Sequence, residues 1–83
     1  MRRLGRVLHL SKNYRLIIRL EPDVEVPMLG ETVFDSGLDP VGAVEDLFGP
    51  VKSPYAAVRL KIGDPPAYIG RTLYAAKKPR APR

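Results

Sequence analysis

The chain has no cysteine, no tryptophan and a single histidine, and none of its apolar runs approaches the ~18 residues of a membrane-spanning helix. Without cysteine there are neither disulfides nor thiolate metal sites, a composition that suits a reducing compartment. His9 stands alone in a strand-like segment with no second imidazole, so it reads as a structural or surface residue, and ligand number and spacing give no metal site. There is no glycine-rich phosphate loop and no nucleophile with an anchored base. Asp35, Asp39, Glu45 and Asp46 read as a solvated acidic face, although acids beside an apolar motif also orient docking. No catalytic residue, cofactor or enzymatic activity is therefore expected. Residues 1–10 lack the apolar core of a signal peptide, so the expectation is a soluble, cytoplasmic protein away from membranes.

What the chain does have is charge at its ends. At 83 residues it is sized for one domain with a thin core. Arg2, Arg3, Arg6 and Lys12 lie in residues 1–12 without an acid. Arg71, Lys77, Lys78, Arg80 and Arg83 lie in residues 71–83, again without an acid, and all nine acids fall between the two segments. The body is acidic and the ends are basic. Basic ends attract nucleic acid non-specifically, which makes Arg2, Arg3, Lys77, Lys78 and Arg80 the candidate RNA-proximal residues.

Alternating apolar residues and Gly/Pro punctuation predict six short strands. Leu4 to Leu10 forms the first, with Leu4, Leu8 and Leu10 on one side and Val7 and His9 on the other. A turn at Ser11–Tyr14, with Asn13 taking a positive φ, leads into Arg15 to Leu20 with Leu16, Ile18 and Leu20 on one face. After a loop at 21–31, whose Val24, Val26, Met28 and Leu29 can cover one end of a core, come Thr32 to Asp35 and a turn with Gly37 left-handed. Val41 to Phe48 follows, with Gly42 a bulge or close-packing point. Tyr55 to Ile62 alternates Ala56, Val58, Leu60 and Ile62 against Tyr55, Ala57, Arg59 and Lys61, and Thr72 to Ala75 closes the set. No window carries a helical stripe. The expected fold is all-β, a small six-stranded closed or nearly closed antiparallel barrel, since closure removes sheet edges. Its domain is 1–76, and 77–83 is a disordered basic tail without apolar content.

The stretch LFGPVKSPYAAVRL at 47–60 is unusual for a loop and strand. Gly49-Pro50 and Ser53-Pro54 stiffen it, because proline fixes φ and restrains the residue before it. Phe48, Val51 and Tyr55 make it apolar. A stiff apolar turn is either a plug for a barrel end or a ready-made contact surface that loses little entropy on binding. Exposed aromatics flanked by cations also bind single-stranded nucleic acid. Here, though, no strand interleaves two rings with cations, and Tyr55 to Arg59 offers one ring and one charge.

FGPVKSPYAAVRL resembles the signature of the glycine–arginine-rich (GAR-one) family of archaeal H/ACA ribonucleoprotein subunits. RLGRVLHLSKNYRLIIRL, VPMLGETVFD, VGAVEDLFGPV and IGRTLYAAKK resemble the other strands of that family, so the likeness runs from about residue 3 to 76. The chain lacks the arginine–glycine-rich arms of eukaryotic members and so resembles the short archaeal form. The resemblance implies a six-stranded β-barrel without catalytic activity. It implies docking on the catalytic domain of a dyskerin-type pseudouridine synthase subunit through apolar contacts, with guide RNA and other H/ACA proteins as indirect partners. It also implies a role in loading and releasing substrate RNA during rRNA processing and ribosome biogenesis. The candidate partner-binding residues are Phe48, Gly49, Pro50, Val51, Pro54 and Tyr55, with Leu73 and Tyr74 beside them if the last strand closes near the fifth. A single-stranded-RNA-binding barrel is the alternative, and exposed apolar surface points to weak self-association of the isolated protein.

Overall fold

A computed structural model describes residues 1–22, 24–61 and 63–76 of the chain. Six strands form: β1 (Arg2–Leu10), β2 (Leu16–Leu20), β3 (Thr32–Phe34), β4 (Pro40–Phe48), β5 (Tyr55–Leu60) and β6 (Thr72–Ala75). The other regular element is a short 3-10 turn at Pro65–Tyr68, and no described residue is α-helical. Every strand pair is antiparallel, and the sheet closes on itself in the order β1-β2-β5-β4-β3-β6. The expected all-β barrel is the observed fold. Ile62 and the segment 77–83, which was expected to be a basic tail, lie outside the described residues.

The period-2 pattern explains most of the interior. Leu16, Ile18 and Leu20 of β2, Ala56 and Val58 of β5, and Leu73 and Ala75 of β6 all point into one core with Val33, Val41 and Val44. Burying each leucine or isoleucine in it contributes about 1.5–3 kcal/mol. Leu10, Val24, Leu47, Leu60 and Tyr68 pack on its ends and rim. Gly5 and Gly42 sit where β1 crosses β2 and β4 crosses β5 at closest approach. A Cβ at either would collide with the carbonyl of Arg19 or Arg59, respectively.

Strand β1 departs from the simple alternation. Its pairing with β2 shifts register between Val7 and His9, so Leu8 is an extra residue. A bulge leaves its extra residue unpaired and turns the chain that follows to the other face. Val7 is therefore in the core with Leu4, while Leu8 is exposed, the reverse of the alternation expected from the sequence. Comparable shifts at Leu4 against β6, at Val41 against β3 and at Glu45 against β5 help a short sheet to curve closed.

The two hairpin turns share one geometry, and in both the left-handed residue differs from the expected one. Ser11 Oγ accepts the N–H groups of Asn13 and Arg15, and Asp35 Oδ1 accepts those of Gly37 and Asp39. In each turn the N–H three residues on returns to the first residue's carbonyl, Tyr14 to Ser11 and Leu38 to Asp35. The left-handed residues are accordingly Tyr14 (φ 61°) and Leu38 (φ 68°), not Asn13 and Gly37. A three-residue loop ends in that conformation whatever side chain stands there. The capping oxygen at the first position selects the turn, and it overrides the local preference of asparagine and glycine.

Loop 21–31 does two things. Val24 packs on the core as expected, and Pro27 is buried as well, but Val26, Met28 and Leu29 face outward. The loop is held by Arg2, whose guanidinium meets both carboxylate oxygens of Glu31 at 2.9 and 3.1 Å and also donates to the Ala76 carbonyl.

Candidate protein-docking site

The β4–β5 connection projects from one end of the barrel. Gly49 takes φ 95°, which lets β4 leave the sheet without strain. The Ser53 N–H then closes a turn onto the Pro50 carbonyl, and the Leu20 N–H binds the Pro54 carbonyl and anchors the far side to β2. Phe48 and Tyr55 face each other across the base of the turn, their rings 5.7 Å apart and inclined at 63°. Edge-to-face packing of this kind braces both rings. Val51 at the tip is 96% exposed and Phe48 is 43% exposed. The turn is therefore not a plug: its apolar groups stand outside the barrel, and Pro54 and Tyr55 are half-buried beneath them.

Register extends this base into a row. Across the outer surface, Thr72 opposes Arg6, Arg6 opposes Arg19, Arg19 opposes Tyr55, and Tyr55 opposes Phe48. Residues directly opposite in antiparallel strands share a face, so two guanidinium groups and two rings lie side by side over four strands. The next outward row is His9, Ile17, Ala57 and Asp46. Ile17 in that row is only 6% exposed although it points outward. The Arg15–Glu45 ion pair (3.0 Å) reaches across β5, from the residue before β2 to β4. Glu45 is engaged, while Asp46 remains exposed at the aromatic end.

The structure separates two of the predicted contact residues from the rest. Leu73 is fully buried in the core and presents nothing to a partner. Tyr74 faces outward, but β6 pairs with β1 and β3 and lies across the ring from β5. The closing strand therefore does not approach the fifth. Of the candidate RNA-proximal residues, Arg2 is committed to the largely buried pair with Glu31, whose side chains are 14% and 9% exposed. Arg3 is paired with Glu21 at 2.9 Å. Lys77, Lys78 and Arg80 lie outside the described residues.

Arg6 and Arg19 are the functional candidates that sequence reasoning passed over. Arg19 lies outward by simple alternation between Ile18 and Leu20. Arg6 does not: continuing the register from Leu10–Leu16 without a bulge sets Arg6 opposite Leu20, on the inner face. Only the extra residue at Leu8 turns it out. Among the described residues no group of three or more His, Cys, Asp or Glu side chains is spaced to hold a metal ion. No described helix is long and apolar enough to cross a membrane.

Fold and site together define a small closed antiparallel barrel that presents an apolar, proline-stiffened turn flanked by cations. No protein-family model matches the chain. It is 33% identical over 82 residues to an uncharacterized protein of Methanothermobacter thermautotrophicus, a match covering 94% of this chain and 86% of that protein. The chain belongs to the family of that archaeal protein.

Proposed function

We propose that the protein is a non-catalytic subunit of an RNA-guided H/ACA pseudouridine synthase complex acting in rRNA modification and ribosome biogenesis in the archaeal cytoplasm. It docks on the catalytic domain of the dyskerin-type synthase and promotes loading and release of substrate RNA. Guide RNA and the other H/ACA proteins are indirect partners. The observation that carries this reading is where the FGPVKSPY string falls. The segment with the most specific resemblance to the GAR-one family is also the segment whose apolar side chains stand outside the core, on a turn with little entropy to lose. The barrel agrees with the fold that this resemblance implies.

Phe48, Pro50, Val51, Pro54 and Tyr55 are the proposed anchor, because aromatic side chains carry much of the energy of protein interfaces. Truncating such an anchor costs about 2 kcal/mol or more, roughly a 30-fold loss of affinity. Tyr55→Ala should therefore weaken binding to a dyskerin-type synthase by that factor in a calorimetric titration while circular dichroism still reports a barrel. Unchanged affinity would remove the site from the turn, and a wild-type protein that ignores the synthase would remove the reading altogether.

A second reading, a single-stranded-RNA-binding barrel, draws on the same row, since cations beside rings on an open barrel face suit a nucleic-acid strand. Two features favour protein instead. The rings of Phe48 and Tyr55 pack against each other rather than lying open as a stacking platform, and Asp46 is exposed in the adjoining row.

A further inference from the structure

Arg6 and Arg19 are directly opposed on the outer face of β1 and β2. Their Cβ atoms are then about 4.5–5.5 Å apart, and like charges at that position destabilise a sheet. Neither forms an ion pair with another described residue, whereas Arg2, Arg3 and Arg15 each hold a carboxylate. Glu21, the described acid that lines the same surface, is engaged by Arg3. Arg6 and Arg19 line an open groove of about 510 Å³ that also takes in Ser53, Thr72 and Pro22. Ser53 belongs to the β4–β5 turn, so groove and apolar tip form one continuous surface.

We infer that Arg6 and Arg19 are the electrostatic half of the docking site, and that they receive a pair of carboxylates on the partner protein beside the pocket that takes Phe48 and Val51. This rests on the protein-docking reading above and names the chemistry of its partner. Guanidinium groups bind carboxylates through paired, charge-assisted hydrogen bonds, and an anion between the two arginines turns their mutual repulsion into attraction. The charge layout favours a folded partner over a nucleic-acid backbone. The row is positive over β1 and β2 and uncharged over β5 and β4, where Asp46 is exposed in the adjoining row. A phosphodiester chain running from the arginines towards the rings leaves its cations behind and passes beside Asp46, while a protein surface can place carboxylates at one end and apolar groups at the other. Such complementarity sets the register of the encounter and its on-rate.

The test is a titration of the full chain into a purified dyskerin-type synthase at low and high salt, with Arg6→Glu/Arg19→Glu, Arg19→Gln and Tyr55→Ala in parallel. The double reversal should weaken binding about tenfold or more at low salt, with a gap that narrows as salt rises. Arg19→Gln should weaken binding severalfold and melt at or above the wild-type temperature, because it relieves the repulsion; a lower melting temperature marks a structural arginine and overturns the proposal. If the double reversal binds like wild type while Tyr55→Ala does not, the arginine inference fails and the docking reading stands. If wild type does not bind the synthase, both fail. A labelled poly(U) strand supplies the remaining control: tight, salt-sensitive binding by the isolated protein that the double reversal abolishes assigns the row to phosphate and overturns the proposal.

Discussion

Strand β1 carries arginines that end in two different situations. Arg2 and Arg3 are satisfied within the molecule, Arg2 in the largely buried pair with Glu31 and Arg3 in an exposed pair with Glu21. Arg6, further along the strand, faces another arginine and has no carboxylate among the described residues. Each situation comes with aromatics. Arg3 heads an outward row through Tyr74 and Phe34 to Pro40, and Arg6 heads the row through Arg19 and Tyr55 to Phe48. The first row is neutralised and its rings are half-buried in the sheet surface. The second holds no ion pair among the described residues and ends in the projecting turn. The same residue types on opposite sides of one barrel thus yield a finished surface and an unfinished one, and net charge or aromatic content alone does not tell them apart.

The contrast can be broken most forcefully at Arg2. Arg2→Ala removes the guanidinium from the Glu31 carboxylate, which keeps the Met28 N–H, and frees the Ala76 carbonyl. Breaking a buried pair from one side costs about 3 kcal/mol or more, so a large fall in the thermal midpoint is expected, against none for Arg19→Gln. An Arg2→Ala protein as stable as wild type would dissolve the distinction between structural and free arginines. Tyr74→Ala sharpens it on the aromatic side: it should cost roughly 1 kcal/mol of stability through lost cross-strand packing, yet leave affinity for the synthase within about twofold. A Tyr74→Ala protein that binds as poorly as Tyr55→Ala would extend the docking surface around the barrel. The smallest effect is expected at Arg3→Gln, where an exposed ion pair contributes about 0–1 kcal/mol, and neither melting nor affinity should change much.

The strands themselves were readable. Leu16, Ile18 and Leu20 alternate cleanly, Ala56 and Val58 do the same, and Gly/Pro clusters separate the runs. Local turn chemistry was half readable. Ser11 and Asp35 mark turns, but the positive φ falls one residue beyond Asn13 and Gly37, because the loop type and not the residue sets it. The apolar character of the β4–β5 turn was evident, and so was its choice between plug and contact surface; the exposure of Val51 removed the plug. Leu73 and Tyr74 were assigned to the wrong neighbourhood because strand order in a closed ring does not follow from strand pattern.

Six short strands, a cysteine-free aliphatic core and a proline-stiffened apolar turn follow from the order of residues alone, since each depends on residues close together in the chain. Which arginines hold a carboxylate among the described residues depends on contacts between distant parts of the chain. Arg2 and Glu31 meet across a long loop, and Arg6 meets Arg19 because one extra residue at Leu8 turns residues 5–7 of β1 over before the second shift at Leu4. Side-chain direction in a strand has period two, so a single bulge reverses every residue beyond it, and the position of that bulge is set by how the sheet curves to close.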